Sequence, residues 1–98
     1  MTMEIMRNAQ QTAIAVVGRL DTVTSPALDK AISEDIADTE NLVIDLKELE
    51  YISSAGLRVL LRAQKKMEKS GKLKLINVCE SVMEVFEITG FTDILTIE

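Results

Sequence analysis

Two serines stand where a helix is predicted to begin, in the segment Tyr51-Ile52-Ser53-Ser54-Ala55-Gly56-Leu57. At a helix start, a serine hydroxyl can accept a hydrogen bond from a backbone N–H group that has no partner in the first turn. The glycine lowers helix propensity and leaves the backbone bare, which suits close approach by another molecule. Arg58 follows one turn later, where a guanidinium helps to hold an anion. The serines are therefore either structural caps or part of a binding site, and the pattern leaves both open.

Two polar loops, each of which precedes a predicted helix, are expected to lie beside each other. The apolar run Leu42–Leu46 predicts a central buried strand, and the loop 47–54 follows it. The loop 21–25 follows an earlier strand, and Ser25-Pro26 predicts a helix with the serine as its cap. Both loops are at the predicted carboxyl ends of strands, which form the usual site-bearing edge of such a sheet. The predicted partner-binding surface comprises Asp21, Thr22, Ser25, Ser53, Ser54, Ala55, Gly56, Arg58 and Arg62.

The rest of the chain alternates between strand and helix patterns. In chain order these patterns predict a hairpin over 3–17, a helix from Ser25, the central strand, a helix over 54–70, a strand over 72–78, a helix over 81–89 and a short strand or extended tail over 94–97. The order β-β-α-β-α-β-α, with or without a last β-strand, predicts an α/β fold with a mixed sheet of four to five strands and covering helices. The pattern contains no linker or repeat, so 1–98 is expected to be a single domain.

The two longer predicted helices carry opposite charges beside their apolar stripes. On the first, the acidic residues lie off a stripe of Leu28, Ala31, Ile32 and Ile36; they are Asp29, Glu34, Asp35 and Asp38. On the second, the bases recur at helical spacing beside a stripe of Leu57, Leu60, Leu61 and Met67; they are Arg58, Arg62, Lys65 and Lys69. Each charged face is either a solvated surface or a docking surface, and composition does not decide between them.

Composition disfavours several classes of function. The 98 residues carry a net charge of −5, and residues 1–50 hold ten acids against four bases, so clustered positive charge for nucleic acid is lacking. The chain has no histidine and one cysteine, Cys79, which argues against a transition-metal site and histidine acid–base chemistry. Cys79 is expected to be a packed group rather than a nucleophile. No cofactor, metal or enzymatic activity is expected.

The single cysteine gives no sign of an oxidising compartment, because one thiol cannot form an internal disulfide. The first residues lack the layout of a signal peptide, and no apolar run is long enough to span a bilayer. We therefore expect a cytoplasmic protein without membrane insertion. The excess of acid in the first half favours a monomer when the protein is free.

The chain resembles the STAS domain family and, within it, the bacterial anti-sigma factor antagonists. The resemblance extends over nearly the whole chain. Its markers are Gly18-Arg19-Leu20-Asp21 after the second strand, Val43-Ile44-Asp45-Leu46 in the central strand, and the serine segment that opens the long helix. It implies a STAS-like fold and a protein-binding function.

In the antagonists, the serine loop typically reads Asp-Ser-Ser or Asp-Ser-Thr followed by Gly-Leu. The first hydroxyl residue is phosphorylated by a partner that is both a serine kinase and an anti-sigma factor. The resemblance places this residue at Ser54. Ser53 replaces the aspartate and is the alternative acceptor, while Ala55 replaces the second hydroxyl residue.

The resemblance implies a switch: unmodified Ser54 lets the protein sequester the anti-sigma factor kinase and free a sigma factor, and a serine phosphatase restores the unmodified state. The alternative is a STAS subunit of a transport assembly, of the lipid-trafficking ABC transporter type, that binds an ATPase without phosphorylation. The missing aspartate before Ser54 keeps this alternative open.

Overall fold

A computed structural model of the protein describes residues 1–7, 10–35 and 40–98. Its five strands are β1 (Thr2–Arg7), β2 (Gln11–Leu20), β3 (Asn41–Asp45), β4 (Leu49–Ile52) and β5 (Lys72–Ile76). Its three α-helices are α1 (Ser25–Asp35), α2 (Ser54–Ser70) and α3 (Glu80–Thr89), and a 3₁₀ turn covers Phe91–Asp93. The predicted order of elements is confirmed, with one additional strand between β3 and α2.

Strand β2 is the element that the rest of the sheet shares. It pairs with β1 antiparallel from Thr12 to Val17, with β3 parallel from Gln11 to Ala15, and with β4 parallel from Gly18 to Leu20. Strand β3 pairs with β5 parallel, so the strand order is β1-β2-β3-β5 with β4 beside the end of β2. The α/β class and the mixed sheet are therefore confirmed, and β3 is an interior strand as predicted.

The segment predicted as one loop over 47–54 contains β4, which the sequence analysis did not anticipate. Leu49 and Ile52 are buried while the two residues between them are exposed, a pattern too short to establish a strand period. Strand β4 can pair with β2 beyond Ala15, because β2 no longer pairs with β3 there. There Gly18 has a φ of 97°, its N–H donates to the carbonyl of Glu48 at 3.0 Å, and the pairing register shifts.

The apolar stripes of the helices and the inner residues of the sheet form one core. On α2 the buried residues include Leu57, Leu60 and Met67 as predicted, but Leu61 is only partly buried, and Val59 and Ala63 take up the remaining contacts. On α1 the stripe is buried as far as Ile32, and the predicted positions Ile36 and Asp38 lie outside the described residues. None of the helices in the described ranges is long and apolar enough to cross a bilayer.

The end of the chain forms less strand than the pattern over 94–97 allowed. Only a single parallel bridge joins Ile97 to Leu75, beside the 3₁₀ turn. Leu95 is buried and Ile97 packs against the core, so the tail is extended and covers one side of β5. Helix α3 begins at Glu80, one residue before the predicted start.

Gly56 has a packing role rather than the exposed one suggested by its sequence context. It is buried in the first turn of α2, and a Cβ built there would lie 2.8 Å from Cγ1 of Ile52 and 2.9 Å from Cγ of Leu20. These distances are shorter than ordinary carbon contacts. The missing side chain therefore lets the helix start approach the ends of β2 and β4.

We expect Gly56→Ala to destabilise the protein by up to about 2 kcal/mol, because an overpacking cost of about 1–3 kcal/mol exceeds the gain in helix propensity of about 1 kcal/mol. Urea denaturation at constant pH measures this effect. Ser54→Ala places the same alanine in the same turn at an exposed position, and its unfolding free energy should change by less than about 0.5 kcal/mol. A Gly56→Ala protein as stable as the wild type would show that this close approach is not required.

Candidate functional site

The two serines have different positions at the start of α2. Ser53 is the N-cap, with extended backbone angles of φ −98° and ψ 176°, and its Oγ accepts the N–H of Gly56 at 3.5 Å. Its own N–H donates to the carbonyl of Leu20 at 2.9 Å. Ser54 is the first helical residue and is exposed. Ser53 thus supplies the helix cap and Ser54 supplies the accessible hydroxyl. The structural interpretation therefore applies to Ser53, and the binding-site interpretation remains open for Ser54.

The loop 21–25 is organised by the carboxylate of Asp21. Its Oδ1 accepts the backbone N–H groups of Val23 and Thr24, each at 3.0 Å, while the Thr24 hydroxyl donates to the carbonyl of Arg19 at 2.8 Å. The hydrogen bond from the Thr24 N–H is the largest influence on the pKa of Asp21 and lowers it below its usual value. Desolvation, the next largest, opposes this, while the Thr24 hydroxyl, the Val23 N–H and the charge of Arg19 add to the lowering. The loop leaves Val23 86% exposed.

The expectation that Ser25 caps α1 is wrong. Ser25 is the first residue of the helix, and its N–H donates to the carbonyl of Asp21 at 2.8 Å. The side chains of Asp21 and Thr24 already accept hydrogen bonds from backbone N–H groups of the loop before the helix. The Ser25 hydroxyl is buried and has no hydrogen-bond partner among the described residues.

A surface cavity of about 170 Å³ lies between the first turns of α1 and α2. It brings together five residues of the predicted surface and three residues outside that surface. The five are Thr22, Ser25, Ala55, Arg58 and Arg62, and the three are Pro26, Asp29 and Val59. Gly56 lies beneath this surface, and Ser53 and Ser54 stand next to Ala55 at the start of α2. The cavity therefore lies where the two predicted loops end and their helices begin.

The acidic face of α1 contributes to internal contacts with α2. Asp29 accepts a hydrogen bond from Arg62 at 3.3 Å, and Lys66 donates to the hydroxyl of Ser33 at 3.0 Å. Both Arg62 and Asp29 are partly exposed, so their ion pair contributes less than about 1 kcal/mol. Periodicity placed Asp29 on a charged face but contained no signal for its partner, which belongs to a different helix.

An exposed cation–π pair lies beside the serine loop and was also missed. The guanidinium of Arg19 stacks on the ring of Tyr51 at 4.3 Å from the centroid. The two residues are register partners in β2 and β4. Because β4 was not predicted, nothing in the sequence pattern brought them together.

A larger cavity of about 510 Å³ lies away from the serines, at the opposite edge of the sheet. It is lined by the first residues of β2, β3 and β5, namely Gln11, Asn41 and Lys72. The strand carboxyl ends, where sites in α/β sheets form, are at the serine edge, so we place the candidate site there despite the smaller cavity. Within residues 1–7, 10–35 and 40–98, no cluster of three side chains suited to a metal ion is found.

We expect Ser53→Ala to reduce the unfolding free energy by up to about 1 kcal/mol, since it removes the cap of α2. Ser54→Ala should change it by less than about 0.5 kcal/mol, because this hydroxyl is exposed. Urea denaturation of both variants measures the difference. A larger loss in Ser54→Ala than in Ser53→Ala would contradict this separation of roles.

We expect Asp21→Asn to destabilise the protein more at neutral pH than in acid. Because the folded-state pKa of Asp21 is lowered, its stabilisation is fully present above the unfolded value of roughly 3.9 and is lost as the pH falls through the folded value. Urea denaturation of the wild type and Asp21→Asn at pH 7 and pH 3 tests this. The exposed Asp93→Asn is the control; an Asp21→Asn effect independent of pH would exclude this role of the carboxylate.

Comparison with known proteins identifies the family. A family model described as the STAS domain matches residues 2–98. The chain is 30% identical over 95 residues to an anti-sigma-B factor antagonist of Bacillus subtilis, covering 96% of this chain and 87% of the relative. It is 32% identical over 94 residues to an anti-sigma-B factor antagonist of Listeria monocytogenes, covering 94% of this chain and 82% of the relative.

Comparison with solved structures identifies the same kind of relative. The crystal structure of an anti-sigma factor antagonist from Mycobacterium paratuberculosis superimposes with a TM-score of 0.89 at 28% identity, covering 98% of this chain and 83% of that one. These relatives are named as anti-sigma factor antagonists, which is a regulatory binding role and agrees with the expectation that the chain is not an enzyme. The extent of the family match and the shared fold establish that this chain belongs to the STAS domain family.

Proposed function

We propose that the protein is an anti-sigma factor antagonist controlled by phosphorylation of Ser54. In the unmodified state it binds an anti-sigma factor that has serine kinase activity, and so frees a sigma factor for transcription. A serine phosphatase reverses the modification. The names of the relatives in Bacillus and Listeria support the kind of partner, and the exposed hydroxyl of Ser54 at the start of α2 supports the acceptor.

The position of Ser54 is the observation that carries this proposal. A phosphate there would add roughly −1.5 to −2 charges at a helix N-terminus, where the dipole and unpaired N–H groups stabilise an anion. Because Ser53 provides the cap, modification of Ser54 leaves that contact in place. The fold therefore tolerates the phosphate, whereas a docked partner would have to desolvate it.

The partner surface in this proposal comprises the loop 21–25, the start of α2 and the cavity between them. Val23 extends from this surface as an exposed apolar side chain next to the partly buried Asp21. Exposed apolar groups surrounded by polar ones are common in protein interfaces. We further propose that residues 1–98 act as one domain, since one core cluster includes residues from every helix and from four of the five strands. We also propose that the protein is cytoplasmic and, because of the excess of acid in its first half, a monomer when free.

The transport-subunit alternative has less support. It would require an ATPase partner and no modification of Ser54, whereas the antagonist relatives span most of this chain. The replacement of the loop aspartate by Ser53 is accounted for by the cap, because serine and aspartate both accept the N–H groups of a first turn. This departure from the usual motif therefore does not favour the alternative.

We expect Ser54→Ala and Ser54→Asp to separate folding from binding. Both should keep the wild-type melting temperature within about 4 °C, since neither alters the cap or the core. Ser54→Ala should bind the anti-sigma partner as the wild type does and resist phosphorylation. Ser54→Asp should bind at least about tenfold more weakly, because its charge imitates part of the phosphate. Calorimetry and thermal denaturation measure the two properties.

The site of modification is tested with the candidate kinase, ATP and mass spectrometry. Phosphate should appear on Ser54 in the wild type and in Ser53→Ala, and be absent from Ser54→Ala. Phosphate on Ser53 alone, or equal partner affinity of the alanine and aspartate variants, would exclude Ser54 as the switch and favour the transport-subunit alternative.

A further inference from the structure

Helices α1 and α2 are joined by a regular series of polar contacts. Lys66 is bonded to Ser33 and Arg62 to Asp29, and each pair is separated by 33 residues along the chain. The two helices therefore run parallel and in register, with one contact per helical turn. One turn closer to the helix starts, the same spacing pairs Arg58 with Ser25, and there no hydrogen bond is formed. The cavity of about 170 Å³ lies at this position.

The groups at this open position are donors without acceptors. The Ser25 hydroxyl belongs to a residue only 2% exposed and has no partner in the described part of the chain. Arg58 forms no ion pair with any described residue, unlike Arg62. The N–H of Ala55, in the first turn of α2, also has no acceptor within the described ranges. A buried hydroxyl without a partner is unfavourable, so a ligand that satisfies it gains free energy.

The charge at this position suits an anion. Arg58 and Arg62 line the cavity together with one carboxylate, Asp29, whose charge is already paired with Arg62. Arg58 therefore remains as an unpaired positive charge, and the starts of α1 and α2 add the positive ends of two helix dipoles. The volume is sufficient for the carboxylate end of one amino-acid side chain.

We propose that this cavity receives a carboxylate side chain, Asp or Glu, of the anti-sigma partner, held by Arg58 and the Ser25 hydroxyl. This inference rests on the proposed function and adds the chemistry of its interface. A guanidinium and a hydroxyl can both donate to one carboxylate, which completes the series of contacts between the helices. Asp29, the acid among the residues that line the cavity, is already engaged by Arg62, so we assign the occupant to the partner.

The same position links the cavity to Ser54. Ser54 precedes Arg58 by four residues on α2, and both are exposed, so the two side chains are neighbours on one face. A phosphate on Ser54 pairs with Arg58 through charge-assisted hydrogen bonds and withdraws it from the cavity. The modification then competes with the partner's carboxylate for one guanidinium.

The first test measures affinity for the anti-sigma partner, captured on the immobilised unmodified protein and then produced as recombinant protein. Arg58→Ala should weaken binding at least about tenfold, and Ser25→Ala about threefold to tenfold. Lys65→Ala, which removes the same charge from an exposed position outside the cavity, should stay within about twofold. Ser25→Ala should not lower the melting temperature, because it removes an unpaired buried hydroxyl.

The occupant is identified by changing each Asp and Glu of the partner to its amide. One such change should weaken binding to the wild type at least about tenfold but have little further effect on Arg58→Ala. If every amide variant loses the same affinity for both proteins, or if Arg58→Ala behaves as Lys65→Ala does, no partner carboxylate occupies the cavity.

The competition is tested by combining Ser54→Asp with Arg58→Ala. The aspartate should weaken binding strongly in the wild type and much less once Arg58 is absent. Equal weakening in both backgrounds would overturn the competition while leaving the switch at Ser54 intact. A Ser54→Asp protein that binds as tightly as the wild type would instead overturn the proposed function, whatever the cavity variants show.

Discussion

The contact between the first turn of α2 and the ends of β2 and β4 is the constraint on which the candidate site depends. Gly56 allows this approach because a Cβ there would overlap Leu20 and Ile52. The N–H of Ser53 then reaches the carbonyl of Leu20 at 2.9 Å, which connects the serine loop directly to the strand that precedes Asp21. Two loops that are distant in the chain, 21–25 and 47–54, are thereby held as one surface.

The separation of stability from signalling follows from this arrangement. Ser53 makes the hydrogen bond that caps the start of α2, whereas the hydroxyl of Ser54 is exposed. In the same way, the side chains of Asp21 and Thr24 form hydrogen bonds with the backbone of the loop before α1. The buried hydroxyl of Ser25 therefore has no hydrogen-bond partner among the described residues. Groups that are not needed to hold the fold are thus concentrated at the starts of both helices. Native structures leave few buried polar groups unpaired, and those that remain are often functional.

Charge also has two roles along the pair of helices. Farther along, the acidic face of α1 and the basic face of α2 neutralise each other through Asp29 and Arg62. At the helix starts, Arg58 lacks a described counterion, and the positive ends of the helix dipoles add to its field. A protein with a net charge of −5 therefore has a local excess of positive charge at the starts of α1 and α2. Composition alone argues only about the whole surface and does not reveal such a local excess.

The amino-acid sequence by itself determined the α/β class, the interior position of β3 and the start of α2 at the serine pair, because apolar periodicity and helix-start residues are local signals. The tertiary structure alone decided what depends on contacts between distant segments. It added β4, whose four residues become a strand only by pairing with β2, and it turned Gly56 from a bare surface residue into a packing one. It also distinguished Arg62, which is paired with Asp29, from Arg58, which is not, since identical spacing on one helix carries no information about the helix that packs beside it.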